Sequence, residues 1–199
     1  MSKYLRIATP EDAAEILAIY GPFIEGSTIT AEEVVPTIEA FRDRMASTLK
    51  EYPWLVCYDE NGEILGYSYA SRHQQRSAYR FSVNLSIYVN PKYHRNHVAT
   101  ELYRCLFEIL KYQGYKNAFA AVIIPNPQSA AFHHSLGFRP VAVFSKVTYK
   151  LGRWNDMEWF QYVLSDRENN PAPTIPFSEA MYHQEVKDIL EKYNRRYER

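Results

Sequence analysis

Between Ser86 and Thr100 the chain reads SIYVNPKYHRNHVAT: an apolar run, a short basic stretch, then the start of a helical pattern. A loop closing on a helix start aims unpaired N–H groups, and the positive end of the helix dipole, at whatever lies before it. A diphosphate suits such a place, with His94, Arg95 and His97 adding donors and Arg95 a permanent charge. A strand-to-helix turn carrying solvated basic residues would read the same way. His94-x-x-His97 with His133 offers three imidazoles, but no acid or cysteine completes a ligand set at motif spacing, so no metal is expected. An imidazole at His133 could move a proton near neutral pH, or serve as a hydrogen-bonded helix histidine with a structural role.

A second block starts at Asn126-Pro127-Gln128-Ser129 and runs through Phe132-His133-His134 to Gly137-Phe138. The pattern N-x-x-S-x-x-F-H-x-x-x-G-F, placed after a strand and downstream of the first block, resembles the cofactor-binding core of GNAT acyltransferases. The likeness sharpens toward phosphinothricin and methionine sulfoximine N-acetyltransferases through EYPWLV (51–56), Arg76 to Tyr79, SIYV (86–89), IPNPQSAAFHHSLGF (124–138) and YKLGRWNDMEWFQ (149–161). It covers roughly residues 4 to 164.

That resemblance implies acetyl-CoA bound where two parallel strands, Phe81 to Val89 and Ala118 to Ile124, part from each other. Backbone groups of Ile87, Tyr88 and Val89 would meet the pantetheine arm and the thioester carbonyl. The loop of His94, Arg95, Asn96, His97, Val98, Ala99 and Thr100 would hold the pyrophosphate, and Asn126 the far side of the arm. Arg76 and Tyr79 match the family and would border the amine substrate, Arg76 as a charged fork for a carboxylate, though a surface ion pair and a core aromatic would read the same way. His73, at the end of its strand, could border the same pocket by position alone. His133 would lie on the proton path. Two positions depart from the family pattern. His97 stands where glycine is usual, and Asn84 stands where relatives carry the glutamate that serves as general base. An amide takes no proton, so a catalytic part for Asn84 is limited to holding a water or another group.

The elements that must position these residues are legible in the periodicity. Tyr4 to Ile7 reads as a strand, Thr9-Pro10-Glu11-Asp12 as a helix start, and Gly21-Pro22 as that helix's end. Ile38, Phe41, Met45 and Leu49 mark a second amphipathic helix. Strands at 54–58 and 64–71 flank the hairpin signal Asn61-Gly62, and a third covers 81–89. A helix over 99–113, a strand over 118–124, a helix to about Leu136, and strands over 138–149 and 158–164 complete an α/β order. The expected fold is a mixed, mostly antiparallel GNAT-type sheet with a central splayed parallel pair, flanked by helices. Residues 1–164 form that domain. Residues 165–199 read as a polar linker and an amphipathic helix through Tyr182, Val186, Ile189, Leu190, Tyr193 and Tyr197, packed on the domain or on a second subunit.

Composition sets the frame. With 199 residues, 46% of them hydrophobic, and a formal net charge of zero, the chain suits one cored domain and lacks the basic excess of a nucleic-acid binder. The two cysteines, Cys57 and Cys105, lie in apolar contexts without a CxxC, as in a reducing compartment. No signal-type or membrane-length apolar run occurs, so a cytoplasmic protein without a membrane partner is expected. The function expected is acetyl transfer from acetyl-CoA to the amino group of a small amino-acid-like compound, by a homodimer if it follows the family. A non-catalytic acyl-CoA sensor, and an acetyltransferase of a protein or peptide amine, stay open beside it.

Overall fold

The computed structural model describes residues 2–195. Along the chain run β1 (Lys3–Ile7), α1 (Ala13–Gly26), α2 (Ile38–Thr48), β2 (Trp54–Asp59), β3 (Ile64–Arg72), β4 (Ser82–Val89), α3 (Val98–Tyr112) and β5 (Asn117–Ile124). They are followed by α4 (Pro127–Ser135), β6 (Arg139–Lys150), β7 (Arg153–Val163), α5 (Phe177–Ala180) and α6 (Gln184–Asn194). The seven strands form one sheet in the order β1-β2-β3-β4-β5-β7-β6. Among the described residues only β4 and β5 run parallel, and every other neighbouring pair is antiparallel. This is the expected mixed α/β architecture.

Two apolar layers cover the sheet. On one face α1 and α2 pack Ile16, Ile24, Phe41 and Met45 on Trp54, Val56 and Tyr67. On the other, α3 buries Leu102, Cys105, Leu106, Ile109 and Leu110 against Leu55, Val83, Leu85, Ala118 and Phe160. Burial pushes the Cys57 thiol up to about 12 and that of Cys105 higher still, so both act as small hydrophobes.

Local chemistry explains where the elements begin and stop. Ahead of α1, the Asp12 carboxylate accepts the Thr9 N–H at 2.8 Å and a two-pronged pair of bonds from Arg6 at 2.6 and 2.7 Å. Burial works to raise that carboxyl, but the bonds from Arg6 and Thr9 prevail and hold it below the usual range. Gly21-Pro22 does not end α1, contrary to the expectation from sequence: the helix continues to Gly26. The carbonyl that Pro22 leaves without a donor belongs to Ala18 on the solvent side, and the extra turn buries Ile24 completely. On α2, Ile38 stays 42% exposed while Phe41 and Met45 go inward. The β2–β3 hairpin turns at Gly62, whose φ of 87° needs glycine, and the Asp59 carboxylate accepts the N–H groups of Asn61 and Glu63.

The segment after Leu164 lies on the α3 layer. Phe177, Ala180 and Val186 are fully buried there and Tyr193 nearly so, while Tyr182 stays out in solvent. Gln113 ties it down: its Nε2 donates to the carbonyls of Glu51 and Ile175, and its own carbonyl accepts from Ile175. The Asn194 side-chain amide bonds both peptide groups of Leu5 in β1. Tyr197, the last position of the expected helical series, lies outside the described residues.

Candidate functional site

Strands β4 and β5 pair only at Ser82–Asn117, Val83–Ala118 and Asn84–Phe119. Beyond that rung β4 continues to Val89 against β3, and β5 to Ile124 against β7, with no pairing between them. The Asn90 N–H donates to the Leu65 carbonyl at 2.9 Å, which fixes the alternation along β4. Leu85, Ile87 and Val89 therefore turn their peptide groups away from β3 and into the gap, while Tyr88 pairs toward Tyr67. The gap opens into a cleft of about 860 Å³ that Tyr88 also lines, together with Ile87, Val89, Asn126, Ser129 and Phe132. Ile29 forms its other wall, on a loop held at Thr30 by a 2.9 Å bond from the buried Lys150 ammonium to the Thr30 carbonyl.

The far end of the cleft is the loop before α3. His94, Arg95, His97, Val98, Ala99 and Thr100 all line it. Asn96 faces the opposite way with its carbonyl, which accepts from Lys3 Nζ on β1 and so anchors the loop. His94 Nε2 donates to the Val89 carbonyl at 3.2 Å. Arg95 and His97 both adopt left-handed backbone, φ 66° and 59°, the conformation for which glycine is usual at position 97. For a non-glycine residue this costs about 1–2 kcal/mol. The His97 side chain makes no capping bond to α3, and the Glu101 N–H is the first to find the helical carbonyl, that of His97. The N–H groups of Val98, Ala99 and Thr100 are thus left facing the cleft end, as an anion site requires.

Asn126 caps α4: its Oδ1 accepts the Ser129 N–H at 3.1 Å. One turn on, His133 is 3% exposed and stacks on Phe160. Its Nδ1 donates to the Ser129 carbonyl at 2.8 Å, so the neutral ring has its lone pair on Nε2. That atom is buried with no partner among the described residues, and so is the Tyr103 hydroxyl. Both residues line a pocket of about 70 Å³ at the root of the splay, between Leu85–Tyr88 and Ala120–Val122. Burial lowers the His133 pKa, and the bond to Ser129 offsets only part of it.

On the opposite face of the sheet the sequence-predicted residues Asn84, His73 and Tyr79 come together. Asn84 Oδ1 lies 2.7 Å from His73 Nδ1, and Asn84 Nδ2 is 3.4 Å from the Arg72 carbonyl. The His73 ring stacks on Phe119 with centroids 4.3 Å apart and meets Tyr79 and Trp159 edge-on. Arg76 sits exposed at the start of the short turn that carries Tyr79. Phe119, Trp159 and Tyr103 were not anticipated as site residues. Trp159 lies inside a recognised motif, but Phe119 gains its place only from the β4–β5 register. Asp156, by contrast, serves the fold: its carboxylate accepts the Lys146 N–H at 2.7 Å inside a bulge of β6.

An unpaired strand edge, a helix start with free N–H groups and an enclosed lone pair are what a long ligand with an amide-bearing arm and a diphosphate requires, so acetyl-CoA fits the cleft. Residues 5–159 match the Acetyltransferase (GNAT) domain family. The phosphinothricin N-acetyltransferase of Streptomyces viridochromogenes is 31% identical over 172 residues, spanning 86% of this chain and 91% of that protein. The L-methionine sulfoximine/L-methionine sulfone acetyltransferase of Pseudomonas aeruginosa is also 31% identical, over 86% of this chain and all of that one. A GNAT superfamily phosphinothricin acetyltransferase from Sinorhizobium meliloti, solved in complex with acetyl-CoA, superposes with a TM-score of 0.81 at 29% identity, covering 89% of this chain and 99% of that one. With the match spanning most of its length, this chain belongs to the GNAT acetyltransferase family and is an acetyl-CoA-dependent N-acetyltransferase.

Proposed function

We propose that the acceptor is the α-amino group of a small amino-acid-like compound of the phosphinothricin or methionine sulfoximine kind. The observation that carries this reading is the fork at Asn84–Phe119, with an aromatic enclosure of His73, Phe119, Trp159 and Tyr79 on the face away from α3. The names of the two relatives at 31% identity support the substrate class. Acetyl-CoA supplies an activated acyl group. The peptide groups of Ile87 and Val89 hold its arm and polarise the thioester carbonyl, whose oxygen gains charge as the amine attacks. The loop from His94 to Thr100 takes the diphosphate, Asn126 borders the arm, and Arg76 offers a planar fork for the substrate carboxylate.

Thiol release from acetyl-CoA across a panel of amino acids, methionine sulfoximine, phosphinothricin, their decarboxylated analogues and short peptides tests the reading. Turnover is expected with the amino-acid analogues and little with the decarboxylated ones; acetylation of peptides alone would overturn it. Arg95→Ala should weaken acetyl-CoA more than its phosphate-free pantetheine fragment in calorimetry. Arg76→Ala should raise KM for the amine and leave acetyl-CoA affinity unchanged.

We propose further that the enzyme works as a cytoplasmic homodimer. Two unpaired cysteines suit a reducing compartment. Outer strand β6 exposes Val141, Val143, Phe144, Val147 and Tyr149 in a single run, a surface that a second copy would cover. Light scattering behind size exclusion, expected at twice the 23.3 kDa chain mass, checks this.

A further inference from the structure

We propose that His73 is the general base that takes a proton from the acceptor amine, and that Asn84 is the residue that positions it. This rests on the reading of the chain as an amine acetyltransferase.

At the fork, the residue on β4 that faces the acceptor side is an amide, which accepts hydrogen bonds but cannot hold a proton. Its amide oxygen, however, is committed. Asn84 Oδ1 sits 2.7 Å from His73 Nδ1 while Nδ2 is directed to the Arg72 carbonyl. An amide oxygen only accepts, so Nδ1 carries the proton and the neutral imidazole keeps its lone pair on Nε2. A base held in one tautomer by a third group is the arrangement that makes an imidazole useful in acyl transfer. Asn84 thus does for a neighbouring base what a carboxylate in its place would do itself.

The ring is also fixed in space. It lies nearly flat on Phe119, 15° between planes and 4.3 Å between centroids, with Tyr79 and Trp159 against it edge-on at 5.8 and 5.9 Å. Phe119 is the partner of Asn84 in the last rung before the strands part. The imidazole therefore covers the point where the gap begins, on the face opposite His133 and the α3 layer. An amine entering from this face to reach a thioester in the gap passes His73.

The step balances without any added reagent. An ammonium substrate loses two protons as its nitrogen bonds to the thioester carbonyl carbon. One goes to His73 Nε2 and on to solvent. The other ends on the sulfur, which leaves with the electron pair of the broken C–S bond.

The test uses the full chain and the amine panel above, with kcat and KM measured against pH and acetyl-CoA binding followed by calorimetry. His73→Ala should lose ~100- to 10,000-fold in kcat and keep its acetyl-CoA affinity. Its kcat/KM should continue to climb with pH in step with the free-amine fraction where the wild type levels off, and added imidazole should restore part of the rate. Asn84→Leu should lose kcat with little change in KM, and Asn84→Asp, which still accepts from Nδ1, should recover most of what the leucine variant loses. His73→Gln, similar in size and unable to act as a base, carries the same expectation should the alanine variant fail to fold. Wild-type kcat in a folded His73 variant, or a loss confined to KM, overturns the base assignment. Equal activity of Asn84→Leu and Asn84→Asp overturns the positioning role. A wild-type chain that binds acetyl-CoA and acetylates no amine of the panel overturns the transferase reading on which both depend.

Discussion

His97 stands in left-handed backbone in the loop before α3, and two effects compete there. Replacing it with glycine relieves about 1–2 kcal/mol of strain and adds about 0.5–1 kcal/mol of unfolded-state entropy. His97→Gly is therefore expected to raise the melting temperature slightly, and to weaken acetyl-CoA binding if the imidazole meets a phosphate; a melt and a titration read both. His133 shows the other way a histidine can sit. Burial lowers its pKa, so below the ordinary value of 6.5 the unfolded chain binds a proton that the native one refuses. Stability should fall as pH drops through that value, by less than ~1.4 kcal/mol per pH unit, and His133→Gln should flatten the trend in urea unfolding at pH 7.5 and 5.5. The loop's departure at His97 was legible because a family pattern marks the position. The bond between His73 and Asn84 was not, because it depends on the β3–β4 register across an irregular loop of nine residues, 73–81, that no periodicity encodes.

Helices and strands were legible wherever a period or a cap spoke for them, and misread where a breaker was outvoted. Pro22 is the clear instance: its penalty of about 3 kcal/mol is offset by burying one more turn, Ile24 above all. The C-terminal segment makes a sharper demand on experiment. Its pattern suggests an appendage, yet Phe177, Ala180 and Val186 are wholly enclosed. Losing a single buried phenylalanine side chain costs about 3–5 kcal/mol, so removing residues 165–199 should lower the melting temperature steeply or leave the chain insoluble. We propose that 1–164 still supply every contact to the two substrates. Glu108 ties α3 to α6 by accepting from Lys192 at 2.8 Å and Tyr193 at 2.6 Å. Burial pushes its carboxyl up, but these bonds outweigh it and hold the group below the ordinary 4.5. The contribution is full above that value and fades as pH falls through the lowered one, a loss that Glu108→Gln should remove from an acid melt. Gly66 has a subtler part in positioning the site: a Cβ there would lie 2.9 Å from the Tyr88 carbonyl. Gly66→Ala should push the end of β4 outward and weaken acetyl-CoA binding more than it lowers the melting temperature.

At the scale of the molecule, the order of elements foretold a crossover and hence one parallel pair, but not where that pair would part or that β7 would enter between β5 and β6. The point of parting is set by what each strand has on its other side, since β3 holds β4 and β7 holds β5 to their full lengths. Asn194 adds a consequence of another kind. By occupying both peptide groups at the middle of β1, it closes that flank of the sheet to any further strand, and the flank at β6 is the one left for pairing. A sheet with two such flanks can add copies without limit, as fibres do, whereas one with a single flank has a valency of one. Assembly by strand pairing would then terminate at two chains, with the helix that looks like an appendage as its stopper.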